Sequence, residues 1–208
     1  MIAIVDYGAG NLHSIRQALL RLGLDARVVE TPQGLESMTA LVVPGDGAFG
    51  PAVARLRALG WAERIAEHVR AGRPFLGVCL GMQLLFDESE EDGLHLGLGV
   101  LPGRVVRLPE AVKVPHMGWN QLRVERPSPL LAGIASGAYV YFVHSYHVAP
   151  ADAGLVAATT SYGGDIAAVV GRDNLWATQF HPEKSGPVGV RMLQNVARWV
   201  AGAGASFR

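Results

Sequence analysis

The chain has 208 residues, half of them hydrophobic and 17% charged, which suits a folded domain with a sizeable core and excludes a disordered polymer. Lys+Arg and Asp+Glu balance to a formal net charge of +0, so nothing in the total recommends a nucleic acid or an anionic membrane as partner. The one cysteine cannot close an internal disulfide, and no apolar run approaches the roughly 20 residues that span a bilayer.

Ile2–Val5 reads as a first buried strand, not as a basic and then apolar leader, and the expected compartment is the cytoplasm. Asn11 follows the turn Tyr7-Gly8-Ala9-Gly10 as a helix N-cap. Leu12, Ile15, Leu19 and Leu22 then recur at helical spacing, and Gly23 stops the helix. Ala26–Val29 and Ala40–Val43 read as strands, 61–71 as a helix, 74–78 as another buried strand and 80–86 as a helix. Continuous apolar strands between helices predict an α/β fold, with a mainly parallel central sheet covered by helices on both faces. The segments 100–124 and 139–178 are rich in Val, Tyr and Thr and broken by turn residues. They predict antiparallel strands added to that sheet. A last helix is expected over about 188–200, with a frayed tail from about 201. No repeat or linker divides the chain, so residues 1–208 read as a single domain.

Three stretches carry chemistry. Gly77-Val78-Cys79-Leu80-Gly81 has the form G-x-C-x-G between a strand and a helix, the thiol version of a nucleophile elbow. A sharp turn of that kind exposes the sulfur, and free N–H groups at a helix start favour its thiolate and can meet a developing oxyanion. A lone cysteine is more often a small buried hydrophobe, and the flanking glycines shift the reading to a nucleophile. Gln179-Phe180-His181-Pro182-Glu183 supplies a base and its orienter. Pro182 keeps His181 extended, and residues two apart in an extended segment point the same way, so Glu183 can fix the imidazole. A solvated surface turn is the plain alternative. Pro44-Gly45-Asp46-Gly47 follows the strand Ala40–Val43, and an N–H from it could join that of Leu80 in an oxyanion hole; an ordinary glycine turn is the alternative.

Other residues have plainer readings. His116, His144 and His147 could suggest a metal. His144 and His147 are three apart in a strand-like run and so face opposite ways, and no carboxylate or second cysteine joins them; neither metal nor cofactor is expected. Met117 and Trp119, between Pro115, Gly118 and Asn120 in a turn-like setting, are either core residues or exposed anchors for a partner. Lys184 is a solvated charge or one half of a salt bridge to a partner. The acidic run 87–92 reads as a solvated helix end.

Taken in this order, the three stretches resemble the class I (triad) glutamine amidotransferases. Within them, the chain resembles the glutaminase subunits of imidazole glycerol phosphate synthases. The resemblance rests on the elbow continued as Met82-Gln83-Leu84-Leu85-Phe86, on Asp6-Tyr7-Gly8-Ala9-Gly10-Asn11-Leu12, and on Lys113-Val114-Pro115-His116-Met117-Gly118-Trp119-Asn120. Tyr141-Phe142-Val143-His144-Ser145-Tyr146 and Phe180-His181-Pro182-Glu183-Lys184-Ser185 complete it, and it runs from residue 2 to about residue 200. It implies a flavodoxin-like amidotransferase fold and a Cys79–His181–Glu183 triad that hydrolyses the side-chain amide of L-glutamine. It also implies an oxyanion hole from the Leu80 N–H and the Gly45–Asp46 peptide. Gly47, Gln83, Glu91 and the Ser145–Tyr146 backbone would hold the α-amino and α-carboxylate end of the substrate. The implied partner is a (β/α)₈-barrel cyclase, in a heterodimer through which ammonia travels. Asn11, His116, Met117, Trp119, Asn120 and Lys184 would lie at that interface. The alternative is the glutaminase of an anthranilate or aminodeoxychorismate synthase; those usually carry a histidine where Met82 stands and lack the 116–120 block. A silent binding subunit is disfavoured by the intact triad. Two positions depart from the family pattern. Asp46 replaces a usual apolar residue and is expected to turn its carboxylate away from the hole, and His147 replaces a usual tyrosine.

Overall fold

In the computed structural model, which describes residues 1–206, the short apolar runs form the centre of one eight-stranded sheet. The first half of the chain supplies β1 (Ile2–Val5), α1 (Leu12–Arg21), β2 (Ala26–Val29), β3 (Ala40–Val43), α2 (Phe49–Ala58), α3 (Trp61–Arg70), β4 (Phe75–Val78) and the single turn α4 (Leu80–Gln83). The second half supplies β5 (Phe86–Ser89), β6 (His95–Leu96), β7 (Leu101–Arg107), β8 (His116–Gln121), β9 (Arg123–Val124), β10 (Tyr139–His144) and β11 (Tyr146–Pro150). It ends with β12 (Val156–Ser161), β13 (Asp165–Arg172), β14 (Leu175–Thr178) and α5 (Gly186–Ser206). The main sheet runs β2-β1-β3-β4-β14-β13-β12-β9, parallel from β2 to β14 and antiparallel beyond it.

Alternation along the parallel strands decides the layers. Ile2, Ile4, Val42, Leu76 and Val78 pack with Ile15 and Leu19 of α1 and Met192, Leu193 and Val196 of α5. Ala3, Val5, Leu41, Val43 and Phe75 point the other way, to Val53 and Leu56 of α2 and Trp61 and Ile65 of α3. The sheet is therefore sealed on both faces, as the apolar runs predicted. Among the described residues no helix is long and apolar enough to cross a membrane.

Several expectations need correcting. The predicted helix over 80–86 is one turn, because Phe86 already belongs to a strand paired with Leu101 of β7, and the freed carbonyls of Leu84 and Leu85 accept from Leu98 and Val100. The acidic run is consequently strand β5 and a turn, not a helix end. Only β9, β12 and β13 extend the main sheet; β5, β6, β7 and β11 form a separate four-stranded sheet, and β8 and β10 a two-stranded ribbon. The 116–120 block is thus strand, not turn. Helix α2 carries no counterpart in the expected elements. The last helix runs on to Ser206 where fraying was expected from about 201, and residues 207–208 lie outside the described part.

Candidate active site

Three neighbouring parallel strands, β3, β4 and β14, end side by side, and each hands over one of the three stretches singled out above. Their carboxyl ends are where ligands settle on open parallel sheets. After β3 comes Pro44–Gly47, after β4 comes Cys79, and after β14 comes His181.

Cys79 sits at φ 55°, ψ −112°, a conformation that ordinary residues avoid. The glycines around it are required. A Cβ on Gly81 would run into the Val43 carbonyl oxygen, and one on Gly77 would lie 2.8 Å from the Gly81 carbonyl oxygen. Helix α4 is too short for a large macrodipole, so what it offers is local: the Leu80 N–H at its start has no acceptor among the described residues. The Cys79 thiol reaches the Val143 carbonyl at 3.8 Å.

His181 is held by β10: its N–H donates to the Tyr141 carbonyl (3.0 Å), and its own carbonyl accepts from the Ser185 hydroxyl (2.6 Å), which in turn accepts from the Tyr141 N–H (3.0 Å). Nδ1 of His181 meets Glu183 Oε1 at 2.9 Å, and Nε2 is buried without a hydrogen-bond partner. Burial alone would depress this imidazole, but the Cys79 sulfur and the Glu183 carboxylate beside it push it up to about 10. The pair therefore favours an imidazolium facing the sulfur.

On the other side of Cys79, Gly45 packs so closely that a Cβ there would collide with the Tyr7 hydroxyl and lie 2.9 Å from Leu80 Cβ. The Tyr7 hydroxyl donates to the Pro44 carbonyl (3.0 Å), and burial, then the nearby Cys79 and Asp46, raise its pKa. The Asp46 carboxylate accepts from the Gly10 N–H (2.8 Å), which ties this loop to the turn after β1.

A cleft of about 440 Å³ joins the pieces. It is lined by Asp46, Gly47, Cys79, Leu80, Gln83 and Glu91 together with Pro115, Val143–Tyr146, His181 and Lys184. Gly45 lies just behind it. Gln83 Nε2 donates to the Tyr146 carbonyl (2.9 Å), and Glu91 Oε2 accepts from the Phe49 N–H (2.7 Å) at the head of α2. Lys184 is exposed at the rim, and Met117 and Trp119 are 63% and 54% exposed on β8, with Trp119 edge-on to Tyr141. His116 does not share that exposure. It lies buried, stacked between Phe142 and Tyr162, with Nδ1 3.0 Å from His144 Nε2 and Nε2 3.3 Å from Asn120 Nδ2. Asn11 caps α1 through its Oδ1 and the Ser14 N–H (3.1 Å). His147 Nδ1 lies 3.1 Å from the Val148 carbonyl oxygen. No group of three or more His, Cys, Asp or Glu among the described residues is placed to hold a metal.

Sequence reasoning missed Gln179, whose Nε2 lies 3.7 Å from Cys79 Sγ. An extended reading of this segment would have put Gln179 on the same side as His181 and Glu183, but residues 179–180 form bends and Pro182–Lys184 a 3₁₀ turn, so the three side chains are brought together by a turning chain and not by strand alternation.

The chain matches the family described as "Glutamine amidotransferase class-I" over residues 3–198. It is 52% identical to the imidazole glycerol phosphate synthase subunit HisH of Desulfitobacterium hafniense, covering 96% of this chain and 95% of that protein. It is 54% identical to the HisH subunit of Syntrophotalea carbinolica, covering 94% and 98%. Among solved structures it superposes on PurLQS from Thermotoga maritima with a TM-score of 0.79 at 20% identity, covering 96% and 98%. A structure described as a glutamine amidotransferase gives 0.74 at 24%, covering 99% and 100%. At these identities the structural matches speak for the fold.

Proposed function

This chain belongs to the class-I glutamine amidotransferase family, and we propose that it is the glutaminase subunit of an imidazole glycerol phosphate synthase, acting in histidine biosynthesis. One observation carries the chemistry: a strained Cys79 shares a cleft with a His181–Glu183 pair whose free Nε2 is left for the sulfur.

In this reading, the Cys79 thiolate attacks the side-chain amide carbon of glutamine. The oxygen that gains charge is met by the Leu80 N–H and the Gly45–Asp46 peptide. His181 passes its proton to the departing nitrogen, and ammonia leaves a thioester on the sulfur. Water, deprotonated by His181, then attacks the thioester carbonyl and releases glutamate and the thiolate, so glutamine and water become glutamate and ammonia. Glu183 keeps Nδ1 protonated and Nε2 directed at the sulfur throughout. Gly47, Gln83, Glu91 and the Ser145–Tyr146 backbone grip the amino-acid end. Support for this comes from their common placement on the cleft wall.

The ammonia passes to a (β/α)₈-barrel cyclase bound as a heterodimer in the cytoplasm, which forms imidazole glycerol phosphate and an aminoimidazole carboxamide ribotide. Exposed Met117, Trp119 and Lys184, with Asn120 behind them, supply the contact face. Asn11 contributes from the start of α1, and His116 acts from below the surface. The test is ammonia release from glutamine by the chain, with and without the cyclase and its nucleotide. Cys79→Ser should abolish it, while the assembled cyclase still works on added ammonium salt. Turnover by Cys79→Ser near the wild-type rate would sink the triad assignment.

A further inference from the structure

The Tyr146 carbonyl oxygen receives two hydrogen bonds, one from His144 Nδ1 (2.9 Å) and one from Gln83 Nε2 (2.9 Å). A carbonyl can only accept, so it dictates which atom each neighbour presents. Gln83 must show its amino group, and the second N–H of that group meets Gln179 Oε1 at 3.1 Å. Gln179 is thereby oriented too: its carbonyl is engaged by Gln83, and its Nε2 is left facing Cys79 Sγ at 3.7 Å. Gln179 is 0% exposed and Gln83 4%, so neither amide is free to rotate into solvent. The S–H of Cys79 has its own acceptor in the Val143 carbonyl, which leaves the sulfur lone pairs to receive the Gln179 N–H.

We propose that Gln179 is a further catalytic residue: its Nε2–H donates to the Cys79 sulfur and favours the thiolate, in an orientation imposed by Gln83 and the Tyr146 carbonyl. A donor to an ionised acceptor is about twice as strong as one between neutral groups, so the bond tightens as the sulfur loses its proton. Gln179 reaches the sulfur within hydrogen-bond distance, whereas His181 Nε2 beside it makes no hydrogen bond in this structure. Unlike His181, it never takes a proton, so it biases the sulfur at every stage at which the sulfur carries charge. The inference rests on Cys79 being the nucleophile of the proposed glutaminase.

The experiment is the rate of Cys79 alkylation by iodoacetamide as a function of pH, on the full-length purified chain, beside a denaturant midpoint. Gln179→Met keeps the length and loses the donor. Its alkylation profile should move to higher pH, with the rate at neutral pH reduced on the order of tenfold. A profile superimposable on wild type, with only the midpoint or turnover reduced, would show Gln179 to be structural and overturn the proposal. If Gln179→Met does not fold, Gln83→Leu gives the second reading: it frees the Gln179 amide to flip, and an unmoved profile there overturns the proposal equally. Alkylation reads the sulfur without glutamine. Failure of the wild type to release ammonia would therefore sink the glutaminase reading and leave this measurement standing.

Discussion

Glu183 Oε1 accepts the Nδ1–H of His181 at 2.9 Å, and the two side chains are only 7% and 3% exposed. In the proposed mechanism a buried carboxylate here fixes the tautomer and supports the imidazolium, and it does not itself carry the proton to ammonia. His181→Ala should therefore cost glutaminase activity about 10²–10⁴-fold, the usual worth of a proton carrier. Glu183→Gln, which keeps an acceptor and loses the charge, should cost distinctly less. Steady-state kcat/KM for both variants decides the point, and equal losses would mean that Glu183 does more than orient.

The elbow itself stores strain that can be measured. Cys79 is held at φ 55°, where an L side chain costs about 1–2 kcal/mol and glycine costs little. Cys79→Gly and Cys79→Ala should both be inactive, and the glycine variant should be the more stable by about 1 kcal/mol in chemical denaturation. A higher midpoint for Cys79→Ala would contradict a turn held in that conformation.

Much of this site was legible from residue order. The parallel sheet followed from apolar runs at 2–5, 40–43 and 74–78, and a parallel sheet brings carboxyl ends to one edge; the pairing of β3 with β4, which sets the Gly45 loop beside Cys79, is seen in the structure. The pairing of Glu183 with His181 was expected from an extended segment, and it arises instead from a 3₁₀ turn over Pro182–Lys184 that starts at His181. What sequence could not supply was long-range competition for backbone groups. The helix expected after Cys79 gives way to a strand because Phe86–Ser89 pairs with β7, which begins at Leu101. The burial of His116 likewise depends on Tyr162, 46 positions away, closing over it from beyond β12.

Stability should peak near neutral pH, for reasons of opposite sign. Burial lowers His68 and His116 to about 4 and His144 to about 3, below the 6.5 of an unfolded histidine. Between those values the unfolded chain binds more protons, so stability should fall as pH drops from about 6.5. His181, raised to about 10, works the other way: its contribution is complete below about 6.5 and is lost as pH climbs toward 10. Denaturant midpoints across pH should trace a dome. Replacing His144 with Asn should flatten its acid side, and replacing His181 with Ala its alkaline side. A monotonic curve would show that these groups do not govern the balance.

The last expectation concerns where ammonia leaves. Lys184 emerges one residue after Glu183 at the rim of the cleft, and Trp119 stands exposed near it, its ring 3.7 Å from where a Cβ on Gly186 would be. On the proposed reading, ammonia made at Cys79 has to reach the partner before bulk water protonates it, so that partner would seal the same face. Trp119 suits the seal: it is large and stiff, it leans on Tyr141 and not on the core, and it is already half uncovered. Trp119→Ala should leave the free energy of unfolding within about 0.5 kcal/mol of wild type. It should nevertheless weaken binding to the cyclase, or let glutamine consumption exceed product formation. Lys184→Ala should weaken assembly more at low salt than at high salt if the ammonium pairs with an acidic group across the interface. Both are read by titrating the cyclase against each variant at two ionic strengths while ammonia and product are counted together. Wild-type affinity and tight coupling in Trp119→Ala would move the contact face elsewhere on the molecule.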